Sequence, residues 1–160
     1  AQLDGAEVEM RQSLDTFVGR FGDWARGFHA SGSVSYLNRK GANGGDLGAN
    51  RAWTGAANLR YAKRKFSSRV GYRLNGLQIL NAAQGSNGFT GKSVREAQHL
   101  IDLSFEYKLT RWATFFAQGT NVTNGMRVDE QRWKEKPSWA NLGTSHNLGR
   151  TYALGVTGSF

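Results

Sequence analysis

Cysteine is absent from the sequence, and proline occurs once, at Pro137. Without thiols there are no disulfides, thiolate nucleophiles or cysteine metal sites, a condition compatible with an envelope protein. No apolar run approaches the ~20 residues that a membrane-spanning helix needs, so any membrane role falls to strands, which hide polar residues by alternating them. The first residues, Ala1 to Asp15, show no basic start followed by an apolar stretch; an export signal, if one exists, has been removed or lies upstream. No glycine-rich phosphate loop or zinc pattern is present. His29, His99 and His146 lie far apart and in polar settings, so no His, carboxylate and nucleophile set is recognisable and no enzymatic activity is expected.

What is abundant is glycine, 21 residues, together with five Trp, five Tyr and nine Phe. With 39% hydrophobic residues and a mean hydropathy of −0.54, this composition favours many strands joined by turns. The 160 residues suffice for one ordinary domain. The net charge of +9 admits nucleic acid, anionic lipid or an acidic ligand as partner. The basic residues are spread along the chain, with small clusters at Lys63-Arg64-Lys65 and from Arg132 to Lys136, as solvated turn and loop charges would be.

The clearest segment is Ile101 to Leu109. Ile101, Leu103, Phe105, Tyr107 and Leu109 alternate with Asp102, Ser104, Glu106 and Lys108, which makes one apolar face on a strand and none on a helix. The same period recurs in Phe66 to Asn75, where Phe66, Val70, Tyr72 and Leu74 oppose Arg69 and Arg73. It returns in Trp53 to Ala62, with Trp53, Ala57, Leu59 and Tyr61 against Thr54, Asn58 and Arg60. The start places Ala6, Val8, Met10 and Leu14 opposite Glu7, Glu9, Arg11 and Asp15. Phe28 to Asn38, a blurred Ala113 to Asn124, and a final stretch with Tyr152, Leu154, Val156 and Phe160 on one side complete the set. These are seven strands of about ten residues, the length a tilted strand needs to cross a bilayer.

The connections differ in length. Few residues separate Tyr61 from Phe66 and Leu109 from Ala113, whereas Lys40 to Ala52, Asn81 to Ala97 and Gly125 to Gly149 are long and polar, and Asp15 to Gly27 exceeds a tight turn. Short turns on one side and long loops on the other are the habit of outer-membrane barrels. Phe28, Tyr61, Phe66, Tyr107, Trp112 and Phe160 fall at strand ends on the short-turn side, where aromatics favour the water–lipid boundary.

Three stretches resemble the C-terminal part of TonB-dependent outer-membrane receptors. Gly5-Ala-Glu-Val-Glu-Met-Arg-Gln-Ser-Leu14 is similar to the family's G-x-E-x-E-x-R-Q-x-L strand. Phe116-Ala-Gln-Gly-Thr-Asn-Val-Thr-Asn124 resembles its penultimate strand with an N-x-T-N close. Gly149-Arg-Thr-Tyr-Ala-Leu-Gly-Val-Thr-Gly-Ser-Phe160 resembles its final strand, although Gly158 stands where the family often has a larger side chain. The resemblance implies an antiparallel up-and-down transmembrane β-barrel of about 22 strands, of which this chain is the last third. It also implies short turns in the periplasm, long loops outside the cell, and Tyr152 and Phe160 as the signal read by the barrel assembly machinery. Further implied partners are outer-membrane lipid and lipopolysaccharide, a scarce nutrient of the siderophore, cobalamin or carbohydrate type, and the TonB complex. That last contact runs through a plug domain that no segment of this sequence resembles. No cofactor is expected.

Within Gly125 to Gly149 the candidates for ligand contact are Arg127, Asp129, Arg132, Trp133 and Trp139. Tryptophan rings stack on sugars and aromatic ligands, and guanidinium groups hold carboxylates or phosphates. Packing of the loop or a seat at the lipid boundary is the competing role of the two rings. Glu7, Glu9, Asp102 and Glu106 are expected to pair with basic residues of the barrel interior such as Arg11, Arg69 and Arg73, and His29 to face that interior. The alternative is a complete eight-stranded barrel with a structural or adhesive role. An outer-membrane enzyme and a soluble nucleic-acid-binding sheet rank behind it, the last disfavoured by the apolar face of Ile101 to Leu109.

Overall fold

Alternating side chains commit a chain to strands, and in the computed structural model the protein is all-β. The structure describes residues 2–40, 50–51, 53–84 and 90–158. Its strands are β1 (Gln2–Ser13), β2 (Phe28–Lys40), β3 (Asn50–Arg51), β4 (Trp53–Lys63), β5 (Phe66–Asn75) and β6 (Gln78–Gln84). They continue with β7 (Thr90–Arg95), β8 (Gln98–Lys108), β9 (Ala113–Thr120), β10 (Met126–Trp133), β11 (Leu142–Asn147) and β12 (Thr151–Gly158). Every pairing is antiparallel.

Seven strands form one sheet in the order β1-β2-β4-β5-β8-β9-β12, and these are the seven that alternation in the sequence marks. The remaining strands form a second sheet, β11-β10-β7-β6-β3. Its order repeats that of the first because each member continues a strand of the larger sheet: β5 runs on into β6 past Gly76 and Leu77, and β9 into β10 past Asn121 to Gly125. The second sheet is thus a collar on the long-connection end. Two glycines permit the bends. A Cβ on Gly76 would run into the carbonyl oxygen of Trp53, and one on Gly125 into that of His99.

The collar corrects two expectations. The stretches Asn81 to Ala97 and Gly125 to Gly149 are not simple loops, since their described parts carry β6, β7, β10 and β11. Charged residues fall on both faces of β7 and β10, and β6 and β11 are mostly small or polar residues, so no apolar alternation announced them. β9 also ends at Thr120 rather than at Asn124. The connection from Asp15 to Gly27 folds into a helical turn (Asp15–Val18) and two 3-10 turns, pinned where the Gly27 amide donates to the Asp15 carboxylate at 2.6 Å. Residues 41–49 lie outside the described residues, and so does Phe160. The expected barrel is not closed: β1 and β12 each keep an unpaired edge among the described residues.

Register makes the two faces of the large sheet unlike. Ala30, Leu59, Val70, Leu103 and Gly119 stand opposite one another in one row across β2, β4, β5, β8 and β9. The neighbouring rows on that face are also mainly apolar, with Ser68 the polar member of the row that holds Tyr61 and Phe105. The other face carries the row Ser13, His29, Arg60, Arg69, Ser104 and Gln118. Among the described residues nothing packs on the apolar face. Val8, Leu59, Val70, Leu103 and Leu154 are all exposed, Leu154 at 77%, while Val94 and Ala113 are the buried apolar residues among those described. Among the described residues there is no interior core to which this face belongs. In water, leaving a large aliphatic side chain uncovered forgoes ~1.5–3 kcal/mol, so a face of this extent needs an apolar surrounding.

Aromatic rings edge the apolar face at both ends. Near the short turns Phe28, Tyr61, Phe66, Phe105 and Phe115 follow one another across five strands, with centroid separations of 4.6, 5.6, 5.0 and 6.2 Å. At the collar end Tyr36 meets Trp53 at 4.7 Å and Tyr72 meets His99 at 6.0 Å. From Tyr61 to Trp53 along β4 the chain advances about 26 Å, or about 20 Å across the sheet at a tilt of ~40°.

Candidate functional site

The collar hairpin β10–β11 holds four of the five residues proposed for ligand contact or lies beside them, and the structure does not gather them into one site. Side chains alternate along β10, so Arg127 and Asp129 point to one side and Arg132 to the other. Arg127 and Asp129 are occupied with each other and with β7: the Arg95 guanidinium grips Asp129 through two bonds of 2.7 and 3.2 Å, and Arg127 adds two of 2.9 and 3.2 Å. These bonds, that of Arg95 foremost, outweigh the opposing effect of burial and hold the Asp129 carboxyl down at about 2. The cluster is a clasp between β7 and β10. Its two guanidiniums and one carboxylate leave a net positive charge.

On the opposite side Arg132 pairs with Glu96 and, at 3.3 Å, with Glu130. Beside this group lies a cleft of about 510 Å³ lined by Leu77, Ile79, Lys92, Val94, Arg132, Trp133 and Lys134. Its floor is aliphatic, because Ile79 and Val94 stand directly opposite each other on β6 and β7. Its rim is basic. Trp133 closes one end, with the Lys136 ammonium 5.7 Å from its ring. A flat or apolar group bearing negative charge suits these walls. Of the proposed residues only Arg132 and Trp133 line the cleft. Trp139 is 85% exposed on the 3-10 turn Ser138–Ala140 and is not among the lining residues. Leu77, Ile79, Lys92 and Val94 escaped sequence reasoning, since neither a pair of lysines nor scattered aliphatics marks a cleft before the strand pairing is known.

The collar is anchored by Asn121, in the stretch that resembles an N-x-T-N close. Its backbone takes the left-handed conformation (φ 53°), as does that of Asn124 (φ 56°), a region in which Asn is enriched. The buried side amide donates to the carbonyls of Gly149 (2.8 Å) and Gly125 (3.3 Å), its oxygen accepts from the Gly125 amide (2.7 Å), and its backbone amide donates to Asp102 (2.9 Å). One residue therefore ties the β9–β10 bend to β8 and to the entry of β12.

On the polar face Arg60 stands directly opposite both His29 and Arg69, and a cleft of about 420 Å³ there includes Arg11, Ser31 and Asn58. Arg11 pairs with Glu9 at 2.7 Å and Arg73 with Asp102 at 3.0 Å. Among the described residues no ion pair involves Arg69. Tyr152 lies on the apolar face opposite Gly119, 64% exposed; Phe160, proposed with it as an assembly signal, is outside the described residues. Among those residues no three His, Asp or Glu side chains converge as a metal site would require. Comparison with protein-family models, with characterised proteins and with solved structures gave no match.

Proposed function

We propose that this chain forms part of the wall of an outer-membrane β-barrel receptor, in which the collar binds a scarce nutrient of the siderophore, cobalamin or carbohydrate type for TonB-energised uptake into the periplasm. The observation that carries the membrane placement is the apolar face. It runs across seven strands with Gln12 and Ser68 as polar interruptions, lacks any covering layer among the described residues, is edged by aromatic rows and backs onto a polar face. Lipid outside and an aqueous lumen inside satisfy both faces at once, as they do in outer-membrane barrels. A soluble sheet with one wet face would need a second layer over the other. Hydrocarbon tolerates no open sheet edge, so β1 and β12 must pair with strands beyond those described.

The choice of a receptor rests on the resemblance of three stretches to TonB-dependent receptors. The cleft beneath Trp133 is the place where the collar offers a ligand both apolar area and positive charge. The deciding experiment is an immunoblot of outer-membrane fractions with an antibody against residues 125–149, followed by nutrient uptake in cells with and without TonB. A band several times larger than the 17.6 kDa of this chain, with saturable TonB-dependent uptake, is expected. A band near 17.6 kDa would replace the receptor with a small structural or adhesive barrel. Absence from the membrane fraction would end both.

A further inference from the structure

At the short-turn end of the apolar face the chain makes a feature that nutrient binding does not use. Strands β4 and β5 are joined by the two-residue turn Arg64-Lys65, since Lys63 is register partner to Phe66. Arg64 sits in the left-handed region, with φ 54°. Glycine or asparagine takes that conformation at little cost and is the usual occupant of such turns, whereas a long side chain pays for it. An arginine held where backbone chemistry disfavours it points to a task for the guanidinium itself.

Its surroundings indicate which task. A cleft of about 480 Å³ opens there, lined by Trp24, Tyr61, Phe66 and Tyr107 together with Lys63, Arg64, Lys65 and Asp23. Lys63 shares the apolar face with Tyr61, Phe66 and Tyr107. The cleft is preassembled: the Tyr61 hydroxyl donates to the Trp24 carbonyl at 2.8 Å, and the Lys63 ammonium binds Asp23 at 2.7 Å, which holds the Asp23 carboxyl below the usual range. Asp23 thus offsets Lys63. Among the described residues neither Arg64 nor Lys65 enters an ion pair, so the cleft keeps two uncompensated cations. They stand at the level of the aromatic row that marks the lipid boundary.

We infer that this cleft binds the headgroup of an anionic phospholipid, with the phosphate between Arg64 and Lys65 and the acyl chains lying along Phe66 and Phe105. The inference rests on the membrane placement proposed above. Guanidinium and ammonium groups supply charge-assisted bonds to phosphate oxygens, and the tyrosine and tryptophan rings cover the glycerol region. A free phosphate would gain the cations and leave the aromatic wall unused.

The native protein carrying this chain, purified and inserted into vesicles, provides the test. Brominated phosphatidylglycerol and brominated phosphatidylcholine are compared by quenching of Trp24, read as the fluorescence difference between the protein and W24F. Each uncompensated cation should favour the anionic lipid roughly fivefold. R64N/K65Q, in which asparagine also suits the turn, should lose that preference while keeping the heat-modifiable migration of a folded barrel. R150Q, at the collar end and outside both clefts, should keep both. Equal quenching by the two lipids, or a preference that survives R64N/K65Q, overturns the inference and leaves the barrel standing. So does inorganic phosphate that displaces phosphatidylglycerol at millimolar concentration, since the site would then take the free ion. Failure of the native protein to insert at all would remove the membrane placement and the lipid site with it.

Discussion

Replacing Leu103 by arginine separates a lipid-facing sheet from a wet one. Leu103 lies midway along β8, on the apolar face, one row inside the short-turn aromatic row that Tyr61 and Phe105 mark, and is 43% exposed. If that exposure were to water, Leu103→Arg would change stability by no more than about 0.5 kcal/mol, as exposed substitutions do. If it is to hydrocarbon, the guanidinium must be carried inside the apolar band, at up to about 2–4 kcal/mol. Val156, opposite Phe115 and near the short-turn edge, should cost about 1 kcal/mol or less on the same change, because there the long side chain reaches the headgroups. Ser33→Arg, on the polar face opposite Glu9, should be neutral. In vesicles these differences are read from the urea midpoint of the folded, heat-modifiable band. With a slope of ~2 kcal/mol per molar, Leu103→Arg should move the midpoint down by roughly 1–2 M. A shift for Leu103→Arg no larger than that for Ser33→Arg would refute a lipid-facing band, and equal shifts at Leu103 and Val156 would refute its depth profile.

Asn121→Ala removes three bonds and leaves alanine in a left-handed backbone, which together should cost about 3–4 kcal/mol in the same urea assay. Asn121→Gly relieves the backbone part and should recover about 1 kcal/mol of that loss; no difference between the two would mean that φ carries no strain. Asp129 titrates at about 2 when folded, below its ordinary 3.8, so the fold favours the ionised form. Its contribution, on the order of 1–2 kcal/mol, is complete above about pH 4 and lost as pH falls through about 2. The gap in urea midpoint between the native protein and Asp129→Asn should therefore close over that window, and a gap independent of pH would rule out the Arg95–Asp129 clasp. For any nutrient whose saturable uptake the protein supports, Trp133→Ala should weaken affinity about tenfold and Trp139→Ala less than about twofold. The reverse ranking would move the site out of the cleft.

The large sheet was legible because one physical demand, an apolar side against a polar one, repeats in every strand from Val8 to Val156. The collar was not. Met126 to Trp133 alternates nothing, since both of its faces carry charges, and what makes it a strand is the pairing of Asp129 with Arg95, 34 residues earlier in the chain. Partners so distant leave no mark in a local window. The proposed ligand residues suffered from the same limit. Arg127, Asp129 and Arg132 are charged and close in sequence, which suggested a binding loop, yet strand geometry turns them to opposite sides and engages each in an ion pair. Asn121 is the converse case, a short motif whose residue types were visible while its function as a three-way tie emerged only from the positions of Gly125 and Gly149.

Strand direction in the seven-stranded sheet has an arithmetic consequence. Neighbours are antiparallel throughout, so the first and seventh members, β1 and β12, run the same way. Were the sheet to curl until those two edges met, they would pair in parallel. A second copy in the same membrane orientation offers no escape, because rotation about the membrane normal leaves every strand pointing as before. Antiparallel closure demands an odd number of intervening strands: one would complete an eight-stranded cylinder, and fifteen would complete the ~22 of a plugged transporter. The two proposals for this protein are therefore separated by a count, and no even number of added strands belongs to either.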